Sequence, residues 1–135
     1  VFPDRPLLHF PFGKVNINNR YTCYNSSSKE LQISLSLEDI SLDGVLVGIS
    51  ASGSSVSLKL DNIGGPIPNL YNYPSRTTNI TLPGKNAGKT YLFNMSAAGF
   101  GSTPTESIMI APIIGKDQCD VSDSNEQVDN CLSLT

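Results

Sequence analysis

The chain has no tryptophan, a single histidine (His9) and three cysteines (Cys23, Cys119 and Cys131). A Ser-His-Asp triad or a histidine-rich metal site therefore has at most one imidazole to draw on, and no Cys-x-x-Cys spacing offers zinc a pair of thiolates. Charged residues make up only 16% of the chain, too few for long solvent-exposed helices. The nine Lys and Arg stand singly along the sequence. Without a basic cluster to neutralise phosphates, nucleic acid is not an expected partner. The longest apolar run, residues 108–114, is broken by Pro112 and falls far short of the ~20 residues that cross a bilayer as a helix. No transmembrane segment and no cofactor are expected.

What is present suits one folded domain. The chain is 135 residues long and 39% hydrophobic, enough to bury roughly two-thirds of its unfolded surface around a single core. The charge is unevenly placed. Residues 1–115 carry eight Lys and Arg against seven Asp and Glu, whereas 116–135 set Lys116 against Asp117, Asp120, Asp123, Glu126 and Asp129. This predicts a β-sandwich domain over 1–115 followed by an acidic, cysteine-bearing segment over 116–135. Val1 without a leader fits a processed secreted product and an excised segment equally.

Period-two alternation dominates the body. Over 30–37, Leu31, Ile33, Leu35 and Leu37 point one way, and Gln32, Ser34 and Ser36 the other, the mark of a half-buried strand. Asp43-Gly44 marks a turn, Val45, Val47, Ile49 and Ala51 alternate, Ser52-Gly53 turns again, and Val56, Leu58 and Leu60 alternate on the return. Further strands are expected at 77–82, 90–97 and 106–111, with shorter ones between 14 and 24. No sustained 3.6-residue period with a cap occurs up to residue 115, so helix should be minor. Short strands at about ten-residue spacing predict an all-β sandwich or barrel.

Residues 78–110 resemble the last three strands of a fibronectin type III domain, in which a Pro-Gly-Thr-x-Tyr turn leads into a strand ending in Ala, then a Gly-containing loop, then a strand opening with Ser. In this likeness Tyr91 is the tyrosine-corner residue, its hydroxyl bonding back to backbone, and Gly88 is the turn glycine. Residues 45–60 are similar to the first two strands, with Leu60 where the family usually has its core Trp and, further on, Lys85 where it has a corner Leu. The resemblance implies an immunoglobulin-like antiparallel β-sandwich with extra N-terminal strands and an irregular acidic C-terminal segment.

Several motifs dissolve on inspection. Gly84-Lys-Asn-Ala-Gly88-Lys89-Thr90 is one residue short of a phosphate-binding loop and precedes a strand instead of a helix, so a tight turn is the better reading. Gly48-Ile-Ser50 lacks the second glycine of a nucleophile elbow, and Ser26-Ser-Ser-Lys29 belongs to a polar run. The acidic residues 117–129 fall at every third position, yet Asp-x-Asp-x-Asp-Gly is missing, and a solvated tail is favoured over a calcium loop. Asn25, Asn79 and Asn94 each open an Asn-x-Ser/Thr acceptor pattern for N-glycosylation. Ordinary exposed Asn on strands explains them equally.

Three cysteines allow one disulfide and one leftover. Cys119–Cys131 encloses the shortest loop, Cys23–Cys119 would tie the acidic segment to the body, and Cys23 within Tyr21-Thr22-Cys23-Tyr24 suits a buried thiol. Low Cys without metal spacing favours an oxidising compartment. The most functional-looking stretch is 66–76, where Tyr71, Asn72, Tyr73 and Arg76 stand in a Pro-rich loop. Aromatic rings and a guanidinium supply rigid contact area and planar donors. The plainer reading has both tyrosines packed on the sandwich edge. With no base–nucleophile pairing, the chain reads as a non-enzyme. It is expected to be a secreted or cell-surface recognition module, part of a receptor or adhesion ectodomain, binding a protein partner through that loop. A carbohydrate-binding adhesin domain, of bacterial pilus or lectin type, is the alternative.

Overall fold

The computed structural model describes residues 14–115, 117, 118, 121 and 123–131. In chain order the strands are β1 (Val15–Ile17), β2 (Cys23–Asn25), β3 (Glu30–Leu37), β4 (Gly44–Ala51), β5 (Ser54–Asp61), β6 (Leu70–Asn72), β7 (Gly88–Asn94), β8 (Ser107–Ile114), β9 (Asp117–Gln118), β10 (Asp123–Asn125) and β11 (Asp129–Asn130). Helical geometry among these residues is confined to a 3₁₀ turn at Asn19–Tyr21 and a short turn at Ser96–Phe100. The protein is all-β and sandwich-like.

The larger sheet runs β11-β2-β3-β7-β6, with β1 pairing the far end of β3. The smaller runs β10-β8-β4-β5, with β9 pairing β8. All ladders are antiparallel except β11–β2, which is parallel. Between the sheets lies one core, and the alternation in the sequence puts the right residues into it. Leu31, Ile33, Leu35 and Leu37 of β3 and Val45, Val47, Ile49 and Ala51 of β4 are all buried. They meet Leu58 and Leu60 of β5, Tyr91 and Phe93 of β7, and Ile108 and Ile110 of β8. Each such side chain removed from water contributes on the order of 2 kcal/mol before entropy is charged against it.

Local chemistry explains the turns. Ser52 and Gly53 both take positive φ, +50° and +81°, the type I′ geometry whose twist matches the right-handed twist of the β4–β5 hairpin. Gly88 turns out to be required by close approach: a Cβ there would lie 3.2 Å from the Leu35 carbonyl. Pro112 sits between the part of β8 that pairs with β10 (Ile108, Met109, Ile110) and the part that pairs with β9 (Ile113, Ile114), where an absent N–H disturbs the ladder least.

Two expectations change. Residues 77–82 form no strand, because their amides are taken up elsewhere: Ile80 N–H donates to the Gly65 carbonyl and Leu82 N–H to Asn62 Oδ1. Ile80 and Leu82 still enter the core. The acidic segment is also less irregular than its composition predicts, since its described residues add β9 and β10 to one sheet and β11 to the other. Asp123 ties it down, with Oδ2 accepting from Ile17 N–H at 2.8 Å.

Candidate functional site

The outer face of the larger sheet carries a depression of about 530 Å³ lined by Tyr21, Asn25, Ser28, Glu30, Gln32, Tyr73, Arg76, Leu92 and Cys131. Strand register builds it. Gln32 of β3 stands opposite Cys23 of β2 on one side and Leu92 of β7 on the other, so these three share the outward face. Leu92 is buried although its neighbours Tyr91 and Phe93 point into the core, and it forms an apolar floor. The β2–β3 turn supplies Asn25, Ser28 and Glu30, and Asn25 Oδ1 holds that turn by accepting from the Ser27 and Ser28 amides at 2.9 and 3.2 Å.

Two tyrosines flank the depression. Tyr21 is 48% exposed and Tyr73 47% exposed. The turn carrying Tyr21 is anchored by Gln32, whose Nε2 donates to the Tyr21 carbonyl at 2.9 Å, and the Arg20 guanidinium lies 5.8 Å from the Tyr21 ring centroid. Tyr73 comes from the loop after β6, as does Arg76, which sits in left-handed backbone (φ +61°). The loop is braced by Asn72, whose Nδ2 donates to Thr77 Oγ1 and to the Asn79 carbonyl, both at 3.0 Å.

Across the depression Arg76 grips Glu30 with two parallel hydrogen bonds, Nη1 to Oε2 and Nη2 to Oε1, each 2.8 Å. The Glu30 side chain is 10% exposed and that of Arg76 56%. The Arg76 hydrogen bonds hold the Glu30 carboxyl below its ordinary value, against the opposing effect of partial burial, with a smaller contribution from a Ser28 hydrogen bond. At neutral pH the site therefore presents a fixed carboxylate–guanidinium pair, neutral as a whole, beside amide and hydroxyl groups.

Of the residues singled out in the sequence, Tyr73 and Arg76 line the depression. Tyr71, half-buried, stands next to Leu92 in the β6–β7 ladder without lining it, and Asn72 acts on the loop. The disulfide joins Cys23 to Cys131, with Cα atoms 4.9 Å apart. This corrects both expected pairings, Cys119–Cys131 and Cys23–Cys119; Cys119 itself lies outside the described residues, as do His9 and Asp120. The parallel β11–β2 ladder explains the pairing, because it brings the segment after Asn130 alongside β2, an encounter that loop length alone does not anticipate. The same bond places Cys131 in the wall of the depression.

Asn25 and Asn79 are exposed and Asn94 is half-buried. Asn94 stands opposite Glu30 on the outer face, with Oδ1 accepting from Ala97 N–H at 3.0 Å. Among the described residues no group of three or more His, Cys, Asp or Glu converges on a point that would hold a metal ion. No helix among them is long and apolar enough to cross a membrane.

Tyr21, Glu30, Gln32 and Leu92 were not singled out by sequence. The available signal was Leu92: an apolar residue between two others of opposite parity breaks the alternation and marks a covered spot on the outer face. Comparisons with protein-family models, with curated proteins and with solved structures find no match to this chain.

Proposed function

We propose that this chain is an extracellular recognition module that holds a neutral carbohydrate in the depression on its larger sheet. The observation that carries the reading is the pair of half-exposed rings, Tyr21 and Tyr73, on either side of a concave floor. Aromatic faces suit the apolar C–H faces of sugar rings, and the polar residues around them, Asn25, Ser28, Gln32 and the Glu30–Arg76 pair, suit sugar hydroxyls. A volume of about 530 Å³ lies within the range of small-ligand sites. Binding rather than glycoside hydrolysis is favoured because hydrolysis uses two carboxyl groups flanking the bond, and Glu30, the carboxylate in the lining, is locked to Arg76. The Cys23–Cys131 disulfide fits an oxidising, extracellular setting.

A protein partner is the second reading, supported by Tyr73 and Arg76 standing on one loop, both residue types that anchor protein interfaces. The concavity favours the smaller ligand. A glycan array probed with this chain tests the proposal, with a Tyr21→Ala/Tyr73→Ala double variant as control. Selective binding that the variant loses supports it. An array blank at high protein concentration, together with a protein captured by the same chain and lost in the variant, would transfer the site to the second reading.

A further inference from the structure

Asn25 belongs both to an acceptor pattern, Asn25-Ser26-Ser27, and to the lining of the depression. The three acceptor patterns are not equivalent in the fold. At Asn79 the side chain is packed against the 64–65 loop: Oδ1 accepts from Gly65 N–H at 2.8 Å, and a Cβ on Gly64 would come within 2.6 Å of it. Its partner Thr81 is half-buried, with Oγ1 accepting from Lys89 Nζ at 2.8 Å. At Asn94 the asparagine is half-buried beside Glu30. Only at Asn25 are the asparagine and the hydroxyl residue two positions on both exposed. The bonds that shape the turn run through Asn25 Oδ1, so a group attached at Nδ2 leaves them intact.

We propose that Asn25 is N-glycosylated and that the first sugars of its oligosaccharide lie in the depression, between Tyr21 and Tyr73, closing it to ligands from outside. The reaction is a glycosyl transfer. Asn25 Nδ2 forms a bond to the anomeric carbon of a diphosphate-activated oligosaccharide donor, the bond from that carbon to the diphosphate oxygen breaks, the diphosphate departs, and the nitrogen gives up one proton to base; nothing is oxidised or reduced. A sugar tethered at the rim reaches the floor at high effective concentration, so it outcompetes a free glycan of similar affinity. The depression is then mostly closed in modified molecules and fully open only in those that lack the modification. This rests on the reading of the depression as a carbohydrate seat.

The test compares the chain made in a glycosylating secretory cell with its Ser27→Ala variant, which abolishes the acceptor pattern, keeps the Asn25 side chain and the backbone amide it binds, and alters no residue of the lining. Peptide mass mapping is expected to find a hexosamine-based oligosaccharide on Asn25, absent from the variant. Because the chain has no tryptophan, its emission comes from tyrosine, and acrylamide should quench that emission more strongly in Ser27→Ala, where Tyr21 and Tyr73 are uncovered. With the tethered sugar seated nine-tenths of the time, the variant should bind array glycans about tenfold more tightly than the modified wild type. An unmodified Asn25, or equal quenching in the two forms, overturns the inference. If Asn25 is modified and quenching differs while neither form binds any array glycan, the inference stands and the proposed binding of outside glycans falls.

Discussion

Arg76 and Glu30 are 46 positions apart in sequence and meet in a parallel, two-bond ion pair. The pair joins the loop after β6 to the start of β3, across the end of β7 that lies between them, and so fixes the distance between the Tyr73 wall and the Asn25 rim of the depression. Arg is suited to this because its planar fork matches a carboxylate in both bonds at once. The residue that holds the pair in place is itself in left-handed backbone, a conformation that surrounding structure must enforce.

The pair gives stability a pH signature. Glu30 is held below its ordinary value of 4.5, so its contribution is present above that value and is lost as the pH falls through the lower, folded-state value. Urea unfolding of the protein and of Glu30→Gln should show the wild type more stable at pH 7, with a difference that holds while the pH stays above the ordinary carboxyl value and shrinks as the pH falls below it. A difference that grew on acidification would mean that the folded state disfavours the charged carboxylate.

Tyr91 ties 77–82, part of the connection from β6 to β7 of the larger sheet, to the body of the fold. Its ring is buried and its hydroxyl donates to the Thr81 carbonyl, ten positions upstream. Burial pushes the phenol well above its ordinary range, so at neutral pH the hydroxyl keeps its proton for this bond. Tyr91→Phe keeps the ring and strands the carbonyl, which should lower the unfolding free energy by about 1 to 2 kcal/mol in a denaturant melt. An unchanged midpoint would mean that water replaces the hydroxyl without loss.

The Cys23–Cys131 bond spans 108 positions. Closing so long a loop restrains the unfolded chain, and losing a native disulfide typically costs about 2 to 5 kcal/mol. Cys131→Ala should fall in that range and also loosen β11, which pairs with β2 over two residues only. Non-reducing peptide mapping should recover Cys23 linked to Cys131 both in the wild type and in Cys119→Ala. A Cys23–Cys119 or Cys119–Cys131 peptide would refute the pairing.

The β character of the fold was legible because alternation in β3, β4 and β5 is a local property: Leu31 to Leu37, Val45 to Ala51 and Leu58 to Leu60 each declare their own buried face. The turn at Ser52-Gly53 was legible for the same reason. Residues 77–82 misled because they alternate and bury Ile80 and Leu82, yet their amides bond to a loop and a side chain, which no pattern within the segment reveals. A smaller part of the candidate site was legible. Tyr73 and Arg76 announce themselves as polar aromatics and cations in a Pro-rich loop, whereas Glu30 and Gln32 look like the ordinary solvent face of a strand. Only the register between β2, β3 and β7 makes them part of a concavity, and register is a long-range property.

The tyrosines give the sharpest separation of binding from folding. Tyr21 and Tyr73 are about half exposed, so Ala at either position should leave stability within about 0.5 kcal/mol of wild type. Each should weaken binding of an array-selected glycan by about tenfold or more, as removal of an anchoring ring does. Asn72→Ala should behave in the opposite order. It removes two hydrogen bonds that brace the loop and touches nothing in the depression, so it should lower stability by about 1 kcal/mol or more and reduce affinity only through the misplacement of Tyr73 and Arg76. Calorimetric titration beside a urea melt for each of the three variants reads both effects. Full affinity in Tyr21→Ala and Tyr73→Ala would remove the rings from recognition, and with them the reason for placing the ligand on this face.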